Sequence, residues 1–435
     1  MTIFQVAGAL LSLIVVFGLL NQRFLKLPET IGITTAGLLT SIAFFVLSYG
    51  NHAYVALARE AVRRVDFADV VFHGLLSFLL FASALHVDIG KMRALKLPVF
   101  LLSTVGVLIS TAAVGTGFHF ITLWLGHPVG WLWSLVFGAL ISPTDPIAVM
   151  SVLKNAGAAE ELKGKIAGES LFNDGTGVVA FIAFLGLASG ATEFSPSNIA
   201  ITLAREVGGA IAAGLLLGFG AQRMLRALEG PALQVMVTLA VTTAGYSVCE
   251  SLHASGPLAM VIAGLVVGNE GTTRELSAAS REQLFGFWTL LDELLNLVLF
   301  GLIGMQVIAL SFKPNMIWVG LAAVPVVRAS RALSVAIPLM ALRNLHRTSP
   351  HSIKIMTWGG LRGGISVALA LSLPEFHGRE MLIGVTYLVV LFSLLVQATT
   401  LGRFIRHLTA CTPPAASGAR GTSLDTGVVQ RNSFS

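Results

Sequence analysis

Apolar positions in this chain neither alternate with period two nor form a single helical stripe; they run almost unbroken for the length of a helix and then stop at a short polar loop. A bilayer core of roughly 30 Å takes about 20 apolar residues as a helix. Runs of that kind lie near 3–20, 30–48, 70–87, 98–124, 131–153, 166–189, 199–220, 231–251, 256–268, 284–310, 315–341, 353–373 and 381–402. The pattern therefore predicts an all-α membrane protein of about thirteen transmembrane helices, one of them short. The first run lacks the basic leader and small-residue cleavage site of a signal peptide, so it reads as a span. Loops are brief, and no soluble domain intervenes. The expected division is a transmembrane unit over 1–409 and a disordered cytoplasmic tail over 410–435, rich in Ser, Gly, Thr and Pro.

Composition narrows the class. Of 435 residues, 55% are hydrophobic and 11% charged, against about 25% charged in an ordinary soluble domain. Too little charge is present to cover a water-facing surface, which excludes a soluble enzyme, and too much apolar surface is present for disorder. The formal charge of +6 does not indicate nucleic acid, because the basic residues are scattered singly between apolar runs. They follow topology instead. Loops after odd-numbered spans carry seventeen Lys or Arg, from Arg23 and Lys26 to Arg403 and Arg406. The opposite loops carry six: Arg59, Arg63, Arg64, Arg205, Lys313 and Arg379. The N-terminus is expected outside and the C-terminus in the cytoplasm. Two cysteines, Cys249 and Cys411, make neither a disulfide framework nor a metal cluster.

Thirteen spans divide as six, one and six, and a single-span linker makes the second six run antiparallel to the first. That is the arithmetic of an inverted repeat, a plan in which transporters form sites at discontinuous helices near the midplane. Spans five and twelve then correspond, and both are interrupted: Ser142-Pro143-Thr144-Asp145-Pro146 in one, Gly359-Gly360-Leu361-Arg362-Gly363-Gly364 in the other. Proline removes a donor and clashes with the preceding turn, and glycine weakens a helix interior.

Ionisable groups at membrane depth are costly and so mark function. Asp145 lies between helix breakers whose flanks, WLWSLVFGALI and IAVMSVL, are each too short to cross alone; the competing reading is a solvated cap between two short helices. In Gly168-Glu169-Ser170-Leu171-Phe172-Asn173-Asp174-Gly175, Glu169 and Asn173 share one helical face, and Ser170 and Asp174 the adjacent one. A carboxylate with a hydroxyl and an amide nearby suits a hard monovalent cation; the competing reading is a polar helix start with Glu169 near its cap. Arg362 needs an acid partner. Glu169 is assigned to it, which leaves Asp174 free to exchange protons and cations. Arg328 and Arg331 read as snorkelling or structurally paired, with substrate groups as the competing reading, Asp292 and Glu293 as residues of a cytoplasmic entrance, and His73, His86, His119 and His253 as packed or interfacial. No nucleophile with a base, and no HExxH pair, lies at membrane depth; Ser170 has Asp174 near it but no histidine. Neither an enzyme nor a bound cofactor is expected.

SPTDPIAV at 142–149 and GESLFNDGTGVV at 168–179 resemble the unwound-helix and ion-site motifs of the monovalent cation:proton antiporters, on the bacterial NhaP-like sodium/proton exchanger branch. SGPLAMVIAGLVVGN at 255–269, LNLVLFGLIG at 295–304 and GGLRGGISVALAL at 359–371 extend the resemblance over nearly the whole membrane region. It implies a thirteen-helix inverted-repeat fold, interleaved core and dimerisation subdomains, and a homodimer in the lipid bilayer. Residue by residue, it implies Asp174 as the main carboxylate for Na+ and H+, Thr144 and Ser170 as oxygen donors, and Asp145 completing the site. Asn173 would stand where electrogenic relatives carry a second aspartate, with Glu169 and Arg362 as a stabilising ion pair. One departure is visible: Leu79-Leu80-Phe81-Ala82-Ser83-Ala84 has Ala82 where some relatives have an acid.

The expected function is secondary active exchange of Na+ or Li+ for H+, one for one and electroneutral, by alternating access with competition at Asp174. The alternatives are K+/H+ exchange and a cation channel or uniporter. The compact loops place the chain in a bacterial inner membrane.

Overall fold

Only a helix or a closed barrel satisfies every backbone N–H and C=O without water, so apolar runs of this length are constrained to be helical in lipid. The computed structural model describes residues 3–47, 67–155, 159–190, 195–269, 276–310, 313–343 and 351–410. Every regular element among these residues is a helix: α1 (Ile3–Leu20), α2 (Glu29–Leu47), α3 (Phe67–Leu85), α4 (Ile89–Ser103), α5 (Val105–Trp124), α6 (Trp131–Ile141), α7 (Ile147–Asn155), α8 (Glu160–Ala188), α9 (Ile201–Ala227), α10 (Pro231–Ser251), α11 (Gly256–Gly268), α12 (Ala278–Gln306), α13 (Pro314–Ala341), α14 (Ser352–Gly359), α15 (Gly364–Leu371) and α16 (Arg379–Leu408). Nine helices among the described residues are long and apolar enough to cross a membrane individually. The expected tail and the outer-loop residues Arg59, Arg63 and Arg64 lie outside the described residues.

Helices occupy each apolar run, and the fifth and twelfth runs break where the Pro and Gly clusters fall, into α6 with α7 and α14 with α15. Several boundaries differ from expectation; α12, for one, begins at Ala278 rather than near 284. The fourth run begins earlier, at Ile89, carries Pro98 inside α4 and turns at Thr104 before α5. Pro98 removes a donor, and the Thr104 hydroxyl donates back to the Phe100 carbonyl at 2.6 Å. The sixth run also begins earlier, at Glu160 behind the N-cap Ala159. The Gly168–Gly177 segment therefore lies well inside α8, two turns beyond the helix start.

Burial is arranged as lipid demands. Leu19, Leu216, Phe219, Trp318 and Met340 are exposed, while Glu169, Asn173, Arg331 and Arg362 are buried. That is the reverse of a water-soluble surface. Around the two breaks, α6, α8, α12, α15 and α16 share an apolar core that includes Phe137, Leu140, Val178, Phe300, Val367 and Tyr387. Small residues let helices approach closely in lipid. At Gly138 of α6, an added Cβ would overlap the Thr111 carbonyl of α5.

Gly138→Val is therefore expected to lower the thermal midpoint in detergent, at a cost of about 1–3 kcal/mol for forced overpacking. Gly220→Ala on α9, where an added Cβ meets nothing within 4 Å, should leave the midpoint unchanged. Equal responses in thermal unfolding would show that the α5–α6 approach is not tight.

Candidate functional site

Breaking a helix inside a membrane orphans carbonyls at one half-helix end and N–H groups at the other. Here the two breaks cross and serve each other. The Asp145 N–H donates to the Leu361 carbonyl at 2.9 Å, an isolated antiparallel bridge between the two unwound segments. The Arg362 N–H donates to Ser393 Oγ on α16 at 2.8 Å. Each remaining half-helix end then meets a charge of suitable sign. Asp145 Oδ1 accepts from the Ile147 N–H at 2.8 Å, at the positive start of α7. The Arg362 guanidinium, 1% exposed, donates through Nη1 to the carbonyls of Ser142 and, at 3.1 Å, Pro143, beyond the negative end of α6.

Helix α8 runs past this crossing and fastens to it through neutral groups. Asn173 Nδ2 donates to Thr144 Oγ1 at 2.7 Å, and the Thr144 N–H donates to Asn173 Oδ1 at 3.4 Å. Thr144 Oγ1 also lies 3.2 Å from Ser170 Oγ. The side-chain amide supplies both a donor and an acceptor to one residue, which a carboxylate cannot do. At Gly177, one turn further on, an added Cβ would overlap Pro143, so α8 lies directly against the break.

The expected Glu169–Arg362 pair is not the one that forms. Glu169, 1% exposed, is held by Arg331 of α13: Nη1 meets Oε1, and Nη2 donates to Oε2 at 2.8 Å. Two parallel donors on two oxygens make a specific and strong ion pair. Arg362 is instead engaged by the carbonyls of the broken helix. Space for Arg331 comes from Gly360, where an added Cβ would overlap the guanidinium. Arg331 thus takes the structural pairing that its depth in the eleventh run suggested, and Arg328 lies 4.7 Å over the Trp358 ring, a cation–π contact.

Asp174, 8% exposed, makes no hydrogen bond or ion pair among the described residues. It lines a cavity of about 660 Å³ together with Thr144, Asp145, Ser366, Asp292 and Asn296. Of the residues singled out from sequence, Asp145, Thr144, Ser170, Asn173 and Asp174 are brought together. Asp292 and Glu293, expected at an entrance, line the same cavity as Asp174. Asn296 was missed; it sits four residues after Asp292, on one face of α12. His86 bonds the Ala82 carbonyl at 2.7 Å and Thr289 at 2.9 Å, and His119 bonds the Val129 carbonyl at 2.9 Å; both are packed, as expected. Ala82 is fully buried in the core. No group of three or more His, Cys, Asp or Glu among the described residues could hold a metal ion.

Comparison with known proteins identifies the family. The family described as sodium/hydrogen exchanger, transmembrane, matches residues 10–407. The Na(+)/H(+) antiporter NhaP of Pseudomonas aeruginosa is 40% identical over 414 residues, covering 94% of this chain and 98% of that one. The Na(+)/H(+) antiporter ApNhaP of Aphanothece halophytica is 30% identical over 396 residues, 89% and 75% of the two chains. Among solved structures, the sodium proton antiporter MjNhaP1 of Methanocaldococcus jannaschii shares the fold, with a TM-score of 0.70 at 22% identity over 93% of this chain and 99% of that one. With the crossed broken helices, the polar face of α8 and a sequence match over nearly the whole membrane region, the chain belongs to the sodium/hydrogen exchanger family of multi-pass membrane proteins.

Proposed function

We infer that this chain is a secondary transporter that exchanges sodium for protons, the two competing for Asp174. The observation that carries this reading is the contrast between Asp174 and its neighbours. Glu169 is neutralised by Arg331, the Arg362 guanidinium is held by the Ser142 and Pro143 carbonyls, and Asp145 caps α7. Asp174 lines the cavity without a protein donor among the described residues. A bare carboxylate is costly away from water, so the conformational exchange that re-exposes the site runs when Asp174 carries a proton or a cation. Thr144, Ser170 and Asp145 supply oxygens of the kind that a hard cation takes. The named relatives are sodium/proton antiporters, which favours sodium; lithium shares the chemistry, and potassium is the alternative.

One further feature supports alternating access. A second cavity, of about 350 Å³, is lined by residues that include Val178 and Phe181, one to two turns past Asp174 on α8, and Glu206 on α9. It shares no lining residue with the larger cavity, whereas a channel needs one continuous lumen. The charge distribution supports a cytoplasmic C-terminus in a bacterial inner membrane, so the larger cavity, on the N-terminal half of α8, faces the cytoplasm. The six-plus-six inverted repeat of thirteen spans and the homodimer belong to the same reading.

Stoichiometry follows from Asn173. That position is a neutral tether to Thr144, and Glu169 is paired with Arg331, so Asp174 is the one acid of α8 that lines the cavity and carries the exchanged charge in this reading. One-for-one exchange moves no net charge and gains nothing from a membrane potential, which is worth about 2.3 kcal/mol per charge per 100 mV to an electrogenic carrier.

In proteoliposomes with a trapped pH dye, sodium should dissipate an imposed proton gradient equally with the voltage clamped or free; a sodium-driven current would overturn the one-for-one assignment. Asp174→Asn should reduce exchange to background while the thermal midpoint persists, and retention of most activity would remove Asp174 from its role. Competition at one carboxylate also fixes a sign. Where the proton-bound form predominates, each unit fall in pH should raise the sodium half-saturation concentration about tenfold, and a pH-independent value would exclude a shared site. Glu169→Gln leaves Arg331 buried and unpaired and should cost about 3–5 kcal/mol, whereas Glu169→Leu with Arg331→Leu should recover most of that loss. Equal destabilisation of both variants in thermal unfolding would show that the pair is more than a structural tie.

A further inference from the structure

The wall of the large cavity opposite α8 carries chemistry that exchange at Asp174 does not use. Among the described residues, the cavity lining contains four acids, Asp145, Asp174, Asp292 and Glu293, and no lysine or arginine. Low-dielectric walls around charge of one sign concentrate counter-ions. On α12, Asp292 and Asn296 are one turn apart. The Asn296 side-chain nitrogen donates to the Asp292 main-chain carbonyl at 2.7 Å, so the amide oxygen is free to turn elsewhere. Asn296 is 2% exposed, yet its Oδ1 is buried and accepts no hydrogen bond among the described residues, and the same holds for Asp292 Oδ1. A buried acceptor without a donor costs about 1–3 kcal/mol, and two on one wall ask for a common partner. His86 does not provide it, because its ring is bonded to Ala82 and Thr289.

We propose that Asp292 and Asn296 form an outer cation subsite in this cavity, where sodium is held on its way between the aqueous phase and Asp174. Two oxygens, one anionic and one from an amide, are hard donors of the kind sodium takes in place of water. The subsite draws its oxygens from α12, whereas the inner one draws them from α8 and the unwound segment after α6. Asp292, Asp145 and Asp174 nevertheless line one cavity, so a cation held at Asp292 shares that space with the inner site. The proposal deepens the exchange reading and rests on it for direction of travel, but binding can be tested without transport.

The experiment is equilibrium binding of radiolabelled sodium to the purified full chain, with exchange measured on the same preparations. The wild type should show two components, and Asp174→Asn should keep the weaker one. Asp174→Asn combined with Asp292→Ala should lose both, while Asp174→Asn combined with Asp292→Glu should restore the weaker component. In exchange, Asp292→Ala alone should raise the sodium half-saturation concentration three- to tenfold with the maximal rate nearly unchanged. Thermal midpoints establish that each variant is folded, and Asn296→Ala serves as a second variant on the same wall, expected to weaken the outer component. If Asp174→Asn binds no sodium, or if its residual binding survives Asp292→Ala, the outer subsite does not exist. If the wild type binds sodium in two components but never dissipates a proton gradient, the exchange reading fails while the subsite stands.

Discussion

Everything at the centre of this protein depends on how backbone groups are satisfied where water is scarce. Interrupting two helices at membrane depth would leave carbonyls and N–H groups orphaned at four ends. The cost is contained because the interruptions cross: Asp145 and Leu361 pair across the gap, Ser393 takes the Arg362 N–H, and charges sit where half-helix dipoles favour them. Arg362 closes the end of α6, and Asp145 the start of α7. Breaks that cross hold each other in place, which gives the site a fixed floor although it is made of irregular chain.

The second consequence is electrostatic. Glu169 and Arg331 offset each other's charge, Arg362 is held by the Ser142 and Pro143 carbonyls, and Asp145 caps the start of α7. Glu169 and Arg331 tie α8 to α13; a buried pair of this kind contributes little net stability but is expensive to break, so it constrains how α8 and α13 can move apart. Asn173 ties α8 to Thr144 without charge. Of the carboxylates at the crossing, Asp174 is the one that makes no hydrogen bond or ion pair among the described residues, and it lines a cavity. Neutralising that group is what a proton and a sodium ion have in common, and coupling between the two fluxes needs no further gate.

The cavity adds a gradient of commitment along the ion's path. At Asp174 the neighbouring oxygens come from α8 and the unwound segment, packed together and nearly closed to solvent. At Asp292 and Asn296 the oxygens come from one face of a single long helix on the opposite wall. A cation in the outer position keeps more of its water and feels the negative lining; at the inner one it exchanges water for protein oxygens. Selection among alkali cations belongs to the inner position, because only there do several elements fix the spacing of the donors.

Much of this was legible in the sequence, and the limits of that legibility have a physical pattern. Helical spans follow from unbroken apolar length. The two breaks follow from Pro143, Pro146 and the glycines at 359–364, and the face shared by Ser170 and Asp174 from helical periodicity; all are consequences of residues close in the chain. The starts of α4 and α8 were misplaced because polar residues can continue a helix past the hydrocarbon region, which apolar length does not register. The partner of Glu169 was misassigned for a different reason. Arg331 and Arg362 are both arginines at depth, and only the packing of α13 past Gly360 decides which guanidinium reaches a residue 162 positions away. Likewise, Asp292 and Asn296 looked peripheral because they fall early in their span, and tertiary structure placed them on the wall facing Asp174. The sequence by itself determined the helices, their interruptions and the carboxylates available, since these rest on local geometry and the cost of burying charge. Tertiary structure alone decided which of those charges pair and which stays free, because long side chains choose partners across helices by distance, and distance between helices is not written in any one segment.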